Sequence, residues 1–198
     1  MGKSTVADIF RSLGALIVDS DAIARSYLNK GMEGYERVVE HCGRTILDNE
    51  YGIDRGKLAG IVFRDTAERK WLESIVHPYV FERIGHEIEI NRDREGTMII
   101  EVPLLFETNA DAWLKPVILV VCGRDAQIER IRRRDPRISY EHIAERIRAQ
   151  TPIEQKQKSA DFIIDNSGDV ESTARQTKNI WNTLVKDGGY EQKYRERT

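Results

Sequence analysis

The chain has 198 residues, of which 40% are hydrophobic and 32% are charged, and its formal net charge at pH 7 is −2. This length and apolar content predict one α/β-sized domain with a hydrophobic core and room for a smaller insertion. The near-neutral balance gives no overall basic field, so we expect neither a nucleic-acid partner nor a membrane-surface role. Two cysteines are too few for a disulfide framework, which favours a cytoplasmic location. No apolar run approaches the length of a membrane span.

The first predicted helix opens on the tetrapeptide Gly2-Lys3-Ser4-Thr5. Apolar residues spaced at i, i+3, i+4 and i+7 from Val6 predict the helix itself. Gly-Lys-Ser is the second half of the phosphate-binding motif G-x-x-x-x-G-K-[ST], in which backbone N–H groups at a helix start surround a polyphosphate. Lys3 would then reach the transferred phosphate, and the Ser4 hydroxyl would ligate Mg²⁺. Because the first glycine of the motif is absent, an ordinary helix start explains the pattern equally well.

A short apolar strand is predicted at Leu16–Val18, and it leads into Asp19-Ser20-Asp21. Ligands of open parallel sheets bind outside the carboxyl ends of the strands, so the two aspartates are candidates for chemistry. The alternative is that Ser20 or Asp21 only caps the helix that follows.

Three further apolar runs, at Met98–Val102, Val117–Cys122 and Phe162–Ile164, alternate with helical patterns. Near-continuous apolar strands separated by helices predict a parallel sheet covered on both faces. Residues 25–94 show helical patterns without a clear strand, which predicts an inserted helical subdomain. Residues 186–198 turn polar and are expected to form a tail.

Two positions outside the predicted sheet have more than one interpretation. Pro78 is expected in the first turn of a helix, which makes His77 either a structural residue before that helix or a substrate contact. The second strand leads into the run Val102–Glu107, with the acidic Glu101 at the strand end. Glu107 either orients a substrate group or is simply solvated.

The segment Arg130–Arg137 is a dense cationic run in an otherwise balanced chain. Such runs are commonly solvated helix faces, but phosphoryl transfer uses cations to stabilise charge on the transferring group, which favours an arginine lid. Arg146, further along, would point at the same phosphates. The last strand ends in Asp165–Gly168, a polar turn that either presents Asn166 to a base or is a plain turn.

Taken in order, these segments resemble the dephospho-CoA kinase family from Gly2 to about Leu184. The matching segments are Gly2–Thr5, Val18–Asp21 with Ala24-Arg25, Arg55–Phe63, His77-Pro78, Val102–Glu107, Arg134-Asp135, Arg146–Pro152 and Asp165–Gly168. Their order and spacing carry the resemblance, since no single one is decisive.

The resemblance implies the α/β fold of the P-loop nucleoside monophosphate kinases, with a parallel core of five strands. Residues 1–24 and 95–185 would form this core, with a lid near 130–150, and residues 25–94 would form the substrate-binding helical subdomain. The implied reaction is the ATP-dependent phosphorylation of the ribose 3′-hydroxyl of dephospho-CoA, the final step of coenzyme A biosynthesis, with Mg²⁺ as the metal.

The resemblance also implies roles for single residues. Asp21 matches the catalytic aspartate that accepts the proton of the attacking hydroxyl, beside Lys3 and Arg134. Asp19 would hold Mg²⁺ through water, together with Ser4. The implied ATP-binding residues are Gly2, Lys3, Ser4, Thr5, Arg134, Arg146, Asn166 and Gly168. The implied acceptor-site residues are Arg55, His77 and Leu105, with Asp21.

The chain departs from the family pattern at its start. Family members begin with an apolar strand and the full loop motif, whereas here Met1 directly precedes Gly2. That strand is central in the related folds, so we expect a gap or an altered pairing between the strands at Met98 and Val117. We also expect these 198 residues alone to bind ATP poorly and turn over little.

Two other classes of function remain open. One is a different P-loop small-molecule kinase, acting on a nucleoside monophosphate or on shikimate, with other residues between 25 and 94. The other is a degenerate P-loop protein that binds a nucleotide or a partner without turnover.

Overall fold

The computed structural model describes residues 2–94, 96–134, 138–148 and 150–186, with only the backbone described at positions 134, 145, 146 and 186. The described strands are β1 (Leu16–Asp19), β2 (Met98–Glu101), β3 (Ile118–Val121) and β4 (Phe162–Asp165). The described helices are α1 (Lys3–Ser12), α2 (Ser20–Tyr27), α3 (Glu33–Cys42), α4 (Arg55–Arg64), α5 (Thr66–Ile90), α6 (Arg124–Arg134), α7 (Tyr140–Arg148), α8 (Ile153–Ser159) and α9 (Val170–Lys186). Short 3-10 turns lie at Arg44–Ile46 and Ala110–Ala112. Within these ranges, no helix combines the length and apolar character needed to cross a membrane.

The chain divides into two compact units, and each is described by itself. The first unit combines Met1–Ile17 with Glu95–Thr198, and the second is Val18–Arg94. The first unit contains α1, β2 to β4 and α6 to α9, while the second contains α2 to α5. The interpretation of residues 25–94 as a substrate-binding subdomain stays a prediction.

The four described strands form two separate pairs. β3 pairs with β4 in parallel, with Ile118 opposite Phe162 and Val121 opposite Asp165. β1 and β2 form the other pair, and the Leu16 N–H donates to the Thr97 carbonyl at 3.0 Å just before β2. All four runs predicted as strands are therefore strands, which confirms the α/β class.

The predicted gap in the sheet is also confirmed. Among the residues that the structure describes, no strand joins β2 to β3, so the sheet is split at the place between Met98 and Val117 where a break was expected. An open strand edge presents backbone N–H and C=O groups that a sheet normally satisfies.

The core of the first unit lies between α1, α9 and the strands. Phe10 of α1 is 1% exposed, and its ring centroid lies 6.3 Å from that of Trp181 on α9. Ile164 of β4 and Leu184 of α9 belong to the same buried cluster. Each such side chain contributes roughly 1.5–3 kcal/mol on burial, so this cluster holds α1 against the strands.

The second unit is a set of helices packed on the 25-residue helix α5. α5 buries Ile75, Val76, Val80 and Ile84, and α2 and α4 pack against it. The rings of Tyr27 and Tyr79 stack at 4.1 Å between centroids. The prediction of a helical segment without regular strands is confirmed for this unit as far as the structure describes it.

The prediction for Pro78 was wrong, because Pro78 lies inside α5 and does not open a helix. Proline lacks the N–H that would bond four residues back, which weakens a helix interior. Val76 and Val80, two residues before and two residues after Pro78, are both buried, and this burial stabilises the helix across the missing hydrogen bond. His77 therefore sits in mid-helix, with its ring centroid 6.1 Å from that of Phe81.

Candidate functional site

The candidate site is organised by the first turn of α1. Gly2 caps this helix with φ +84° and ψ +27°, a left-handed conformation that favours glycine. A Cβ atom at Gly2 would lie 1.9 Å from Nδ2 of Asn166 and 3.2 Å from Nη1 of Arg130. Both the backbone conformation and the space thus require glycine, and the opening of α1 is built against Asn166.

Ser4 lies in this first turn and contacts the end of β2. Its hydroxyl donates to Oε1 of Glu101 at 3.3 Å. Hydroxyl and carboxylate oxygens are the ligands that Mg²⁺ prefers, so the pair suits a metal beside a phosphate. Lys3 is half-buried and Thr5 is exposed on the same turn.

Asn166 directly follows β4 and is only 5% exposed. Its Oδ1 accepts from the Thr173 hydroxyl at 2.8 Å, and its carbonyl accepts from Nη2 of Arg130 at 2.9 Å. The choice between an adenine contact and a plain turn stays open for Asn166. Gly168, two residues on, is exposed.

The turn around Asn166 is held by local hydrogen bonds. The Ser167 N–H donates to Oδ1 of Asp165 at 2.9 Å, and the Gly123 N–H donates to Oγ of Ser167, also at 2.9 Å. Hydrogen bonds from the Ser167 side chain and backbone lower the pKa of Asp165. The Asp165 carboxylate therefore stays ionised, and accepts from the Ser167 N–H, down to a lower pH than an ordinary aspartate would.

The arginines of the predicted cationic run differ in burial. Arg130 is half-buried against Asn166, so for this residue the solvated-face interpretation was wrong. Arg132 and Arg133 are exposed, with Nη1 of Arg132 donating to the Tyr140 hydroxyl at 2.6 Å. Of the predicted lid residues, the side chains of Arg134 and Arg146 lie outside the described ones, as do residues 135–137.

The two predicted aspartates belong to the second unit. Asp19 caps α2, since its Oδ1 accepts from the Ala22 N–H at 3.0 Å, and its Oδ2 lies 3.3 Å from Nη2 of Arg25. The alternative that Ser20 or Asp21 is the cap was therefore wrong. Asp21 lies exposed in the first turn of α2 and is not the N-cap of that helix.

Two predicted acceptor-site residues lie on separate helices of the second unit. Arg55 is the exposed first residue of α4, which Asp54 caps through the N–H groups of Gly56 and Lys57. His77 lies half-buried within α5. A cation at one helix start and a ring on another are compatible with an acceptor surface, and their role stays a prediction.

The third acceptor-site residue, Leu105, lies in the first unit on the turn-rich loop after β2. It is half-buried, and its carbonyl accepts from the Ala110 N–H at 2.9 Å. Glu107 lies on the same loop, and the interpretation that it is simply solvated was wrong. Its Oε1 lies 2.7 Å from Nζ of Lys156, with side chains 16% and 4% exposed.

The hydrogen bonds of Glu107 decide its charge. Burial by itself raises the pKa of Glu107, but the hydrogen bonds from Lys156 and from the Thr151 N–H outweigh it, so the pKa is lowered. Glu107 is thus ionised at neutral pH and pairs with a buried ammonium.

The structure brings together Gly2, Ser4 and Asn166 in the first unit, and adds two residues to them. Glu101 was noted at a strand end but given no role, and Arg130 was seen only as part of a run. The position of Glu101 at the carboxyl end of a strand was a usable signal for the first. Nothing in the sequence pattern separates Arg130 from its neighbours. Among the described residues, no group of three or more His, Cys, Asp and Glu side chains is placed to hold a metal ion.

The chain is similar to dephospho-CoA kinases over most of its length. A family model described as dephospho-CoA kinase matches residues 1–172. Dephospho-CoA kinase of Aquifex aeolicus is 40% identical over 186 residues, covering 94% of this chain and 93% of that protein. The enzyme of the same name from Halalkalibacterium halodurans is 37% identical over 190 residues, covering 94% of each. Among solved structures, dephospho-CoA kinase from Campylobacter jejuni superposes with a TM-score of 0.71 at 30% identity, covering 94% of this chain and 93% of that one.

Proposed function

Because this chain belongs to the dephospho-CoA kinase family, a group of P-loop phosphotransferases with an alcohol acceptor, we propose that ATP binds at the start of α1 and that Asp21 activates the acceptor hydroxyl. The acceptor is the ribose 3′-hydroxyl of dephospho-CoA, and the reaction is the final step of coenzyme A biosynthesis. The observation that carries the proposal is the first turn of α1, where Gly2 packs on Asn166 and Ser4 contacts Glu101.

The nucleotide is held in this proposal by the residues around the first turn. Backbone N–H groups of Gly2 through Thr5 bind phosphate oxygens, because a helix start presents free N–H groups and a positive dipole end. Lys3 adds a cation at the transferred phosphate. Asn166 and Gly168 line the adenine side, and Arg134 with Arg146 neutralise charge on the phosphates.

A divalent cation, which kinases of this kind use, fits the donor set at Ser4. The Ser4 hydroxyl and the Glu101 carboxylate are oxygen ligands 3.3 Å apart, and we propose that they hold Mg²⁺. When bound, the metal neutralises charge that develops on the phosphates. Asp19 stays a proposed contact through water, although both of its oxygens already accept hydrogen bonds within α2.

Asp21 supplies the general base. A carboxylate next to the attacking hydroxyl orients it and accepts its proton as the bond to phosphorus forms. Asp21 is exposed in the first turn of α2. Arg55, His77 and Leu105 bind the acceptor, where the exposed guanidinium of Arg55 suits the diphosphate of dephospho-CoA.

The test is the substitution Asp21→Asn, which keeps the size of the side chain and removes the base. Turnover is expected to fall by a factor on the order of 10² or more with nucleotide binding nearly unchanged. The fold should be retained, because Asp19 caps α2 and Asp21 does not. Asp125→Asn, another exposed aspartate in the first turn of a helix, is the matched control and should leave turnover unchanged.

The assay follows ADP formation with dephospho-CoA, and with AMP and shikimate as competing acceptors. It is run on the 198 residues and on the same chain preceded by an apolar strand and the first half of the loop. Turnover of AMP or shikimate in preference to dephospho-CoA would favour the other small-molecule kinases. Nucleotide binding without ADP formation from any acceptor would favour a degenerate P-loop protein. Undiminished turnover by Asp21→Asn would remove Asp21 from the mechanism. The cytoplasmic location stays a proposal that rests on the low cysteine content.

A further inference from the structure

We propose that the buried Glu107–Lys156 pair is a positioning device, which fixes the loop carrying Leu105 against α8 and the residues leading into it. The inference rests on the proposed function, because it assigns the pair to the acceptor side of the same reaction. Every residue in the argument belongs to the first unit.

The pair joins two segments that are distant in sequence. Oε1 of Glu107 accepts hydrogen bonds from Nζ of Lys156 at 2.7 Å and from the Thr151 N–H at 2.9 Å. Nζ of Lys156 also lies 5.6 Å from the ring centroid of Phe106, within the range of a cation–π contact. One carboxylate oxygen thus holds both the middle of α8, through Lys156, and the segment before α8, through the Thr151 N–H, which lies 44 residues further along the chain than Glu107.

Stability alone does not explain this arrangement. Removing two charges from water is costly, and replacing a buried ion pair by apolar side chains is often neutral or stabilising. Oε2 of Glu107 is buried and has no hydrogen-bond partner among the described groups, which adds a further cost. The effect of the pair is therefore sought in the geometry that it imposes on the two segments it joins.

The pair is also distinct from the other ion pairs of the described chain. Lys115–Asp161, the next most buried of them, has side chains 25% and 23% exposed and a separation of 3.8 Å. The remaining pairs have at least one partner more exposed than these, and exposed pairs contribute little to fixing a backbone. Lys115–Asp161 therefore serves as a matched control within the same unit.

The loop that Glu107 holds has its own internal hydrogen bonds. The Thr108 N–H donates to the Leu104 carbonyl at 3.0 Å, and the Ala110 N–H donates to the Leu105 carbonyl at 2.9 Å. These two N–H groups keep their acceptors whatever side chain stands at 107 or 156. Their hydrogen exchange consequently reports whether the pair orders the loop.

The experiment compares Lys156→Met, the double variant Glu107→Met with Lys156→Met, and the control Lys115→Met. Lys156→Met leaves a buried carboxylate and should lower the thermal midpoint, whereas the double variant removes both charges and should recover most of it. In the double variant, kcat with dephospho-CoA is expected to fall tenfold or more while KM for ATP stays within twofold. Exchange at the Thr108 and Ala110 N–H groups should rise at least tenfold there, and Lys115→Met should change neither quantity.

A purely structural pair would give a different result. If the double variant recovered its thermal midpoint and kept kcat within twofold of the unaltered chain, with unchanged exchange in the loop, the proposal would be overturned. Both forms of the chain, with and without the upstream strand and loop, are assayed. If neither unaltered form phosphorylates dephospho-CoA, the proposed function fails, and the exchange at Thr108 and Ala110 still decides whether the pair orders the loop.

Discussion

Replacing Gly2 by alanine tests the packing on which the nucleotide site rests. The new Cβ would stand 1.9 Å from Nδ2 of Asn166, well inside van der Waals contact, and Gly2 has φ +84°. Gly31 has φ +87° with nothing within 4 Å of a Cβ, so Gly31→Ala carries the same kind of backbone strain without a clash. The difference between the two variants isolates the contact with Asn166.

The magnitude follows from two costs. A left-handed backbone costs a non-glycine residue about 1–2 kcal/mol, which applies to both variants. At Gly2 the side chain of Asn166 must also move, which breaks its 2.8 Å hydrogen bond from the fully buried Thr173 hydroxyl. The Thr173 hydroxyl also donates to the Asp169 carbonyl at 3.2 Å, so the loss is one hydrogen bond and not an unsatisfied hydroxyl. One hydrogen bond is worth about 0.5–1.5 kcal/mol, so Gly2→Ala should destabilise by roughly 1.5–3.5 kcal/mol and Gly31→Ala by about 1–2 kcal/mol.

The assay is thermal unfolding of both variants, with ATP binding measured beside it. Each 1 kcal/mol lowers the midpoint of a chain of this size by about 2–4 °C, so the difference is measurable. Adding Asn166→Ala to Gly2→Ala removes the clashing amide, so the double variant should be less destabilised than the sum of the two single changes. Equal midpoints for Gly2→Ala and Gly31→Ala, or simple additivity in the double variant, would refute the packing of Gly2 on Asn166.

Two further predictions concern catalysis. Arg134→Ala should lower kcat more than nucleotide affinity, because its cation acts most strongly on the charge of the transition state. If kinetics showed only a raised KM for ATP, the interpretation of Arg134 as part of a solvated helix face would be correct instead. Adding an apolar strand and the first half of the loop before Gly2 should raise both thermal stability and turnover, because the strand would pair with the open edges of β2 and β3 and the loop would add phosphate-binding N–H groups. Equal turnover with and without the addition would mean that the phosphate site is built from other groups.

The strands were predictable because each is a short apolar run ended by polar residues. Leu16–Val18 continues through Asp19 and Phe162–Ile164 through Asp165, since the last residue of a strand can be polar at a sheet edge. The start of α1 was equally clear from its apolar spacing and its glycine. Such features depend on local sequence, which is why pattern reasoning finds them.

Pro78 and the cap of α2 show where local reasoning is insufficient. A proline predicts a helix start because its cost in a helix interior is large, yet burial of Val76 and Val80 within the second unit outweighs that cost. For α2, the sequence pattern favoured only Ser20 or Asp21 as the cap, whereas the helix begins at Ser20 and Asp19 is therefore its cap.

Glu107 and Arg130 show a different limit. Glu107 had been interpreted as a substrate contact or a solvated residue, and Arg130 only as part of a cationic run. Each is partly buried by a partner tens of residues away, Lys156 for Glu107 and Asn166 for Arg130. A charged residue is exposed in most sequence contexts, so only the tertiary partner reveals the exception. The Asp165–Gly168 turn was recognised as polar, but its tie to Thr173 on α9 required the folded chain.

The split sheet and the start of α1 are connected. Ser4 contacts Glu101 at the end of β2, whereas Gly2 packs on Asn166 directly after β4, so one helical turn touches both strand pairs across the break. The relative position of the two strand pairs therefore sets the distance between Glu101, a candidate metal ligand, and Asn166, a candidate contact of the adenine ring. A strand placed between β2 and β3 would fix that distance through backbone hydrogen bonds, where α1 now does so through two side-chain contacts. Because phosphoryl transfer depends mainly on positioning, the same strand that satisfies the sheet edges should also set the geometry of the phosphate site.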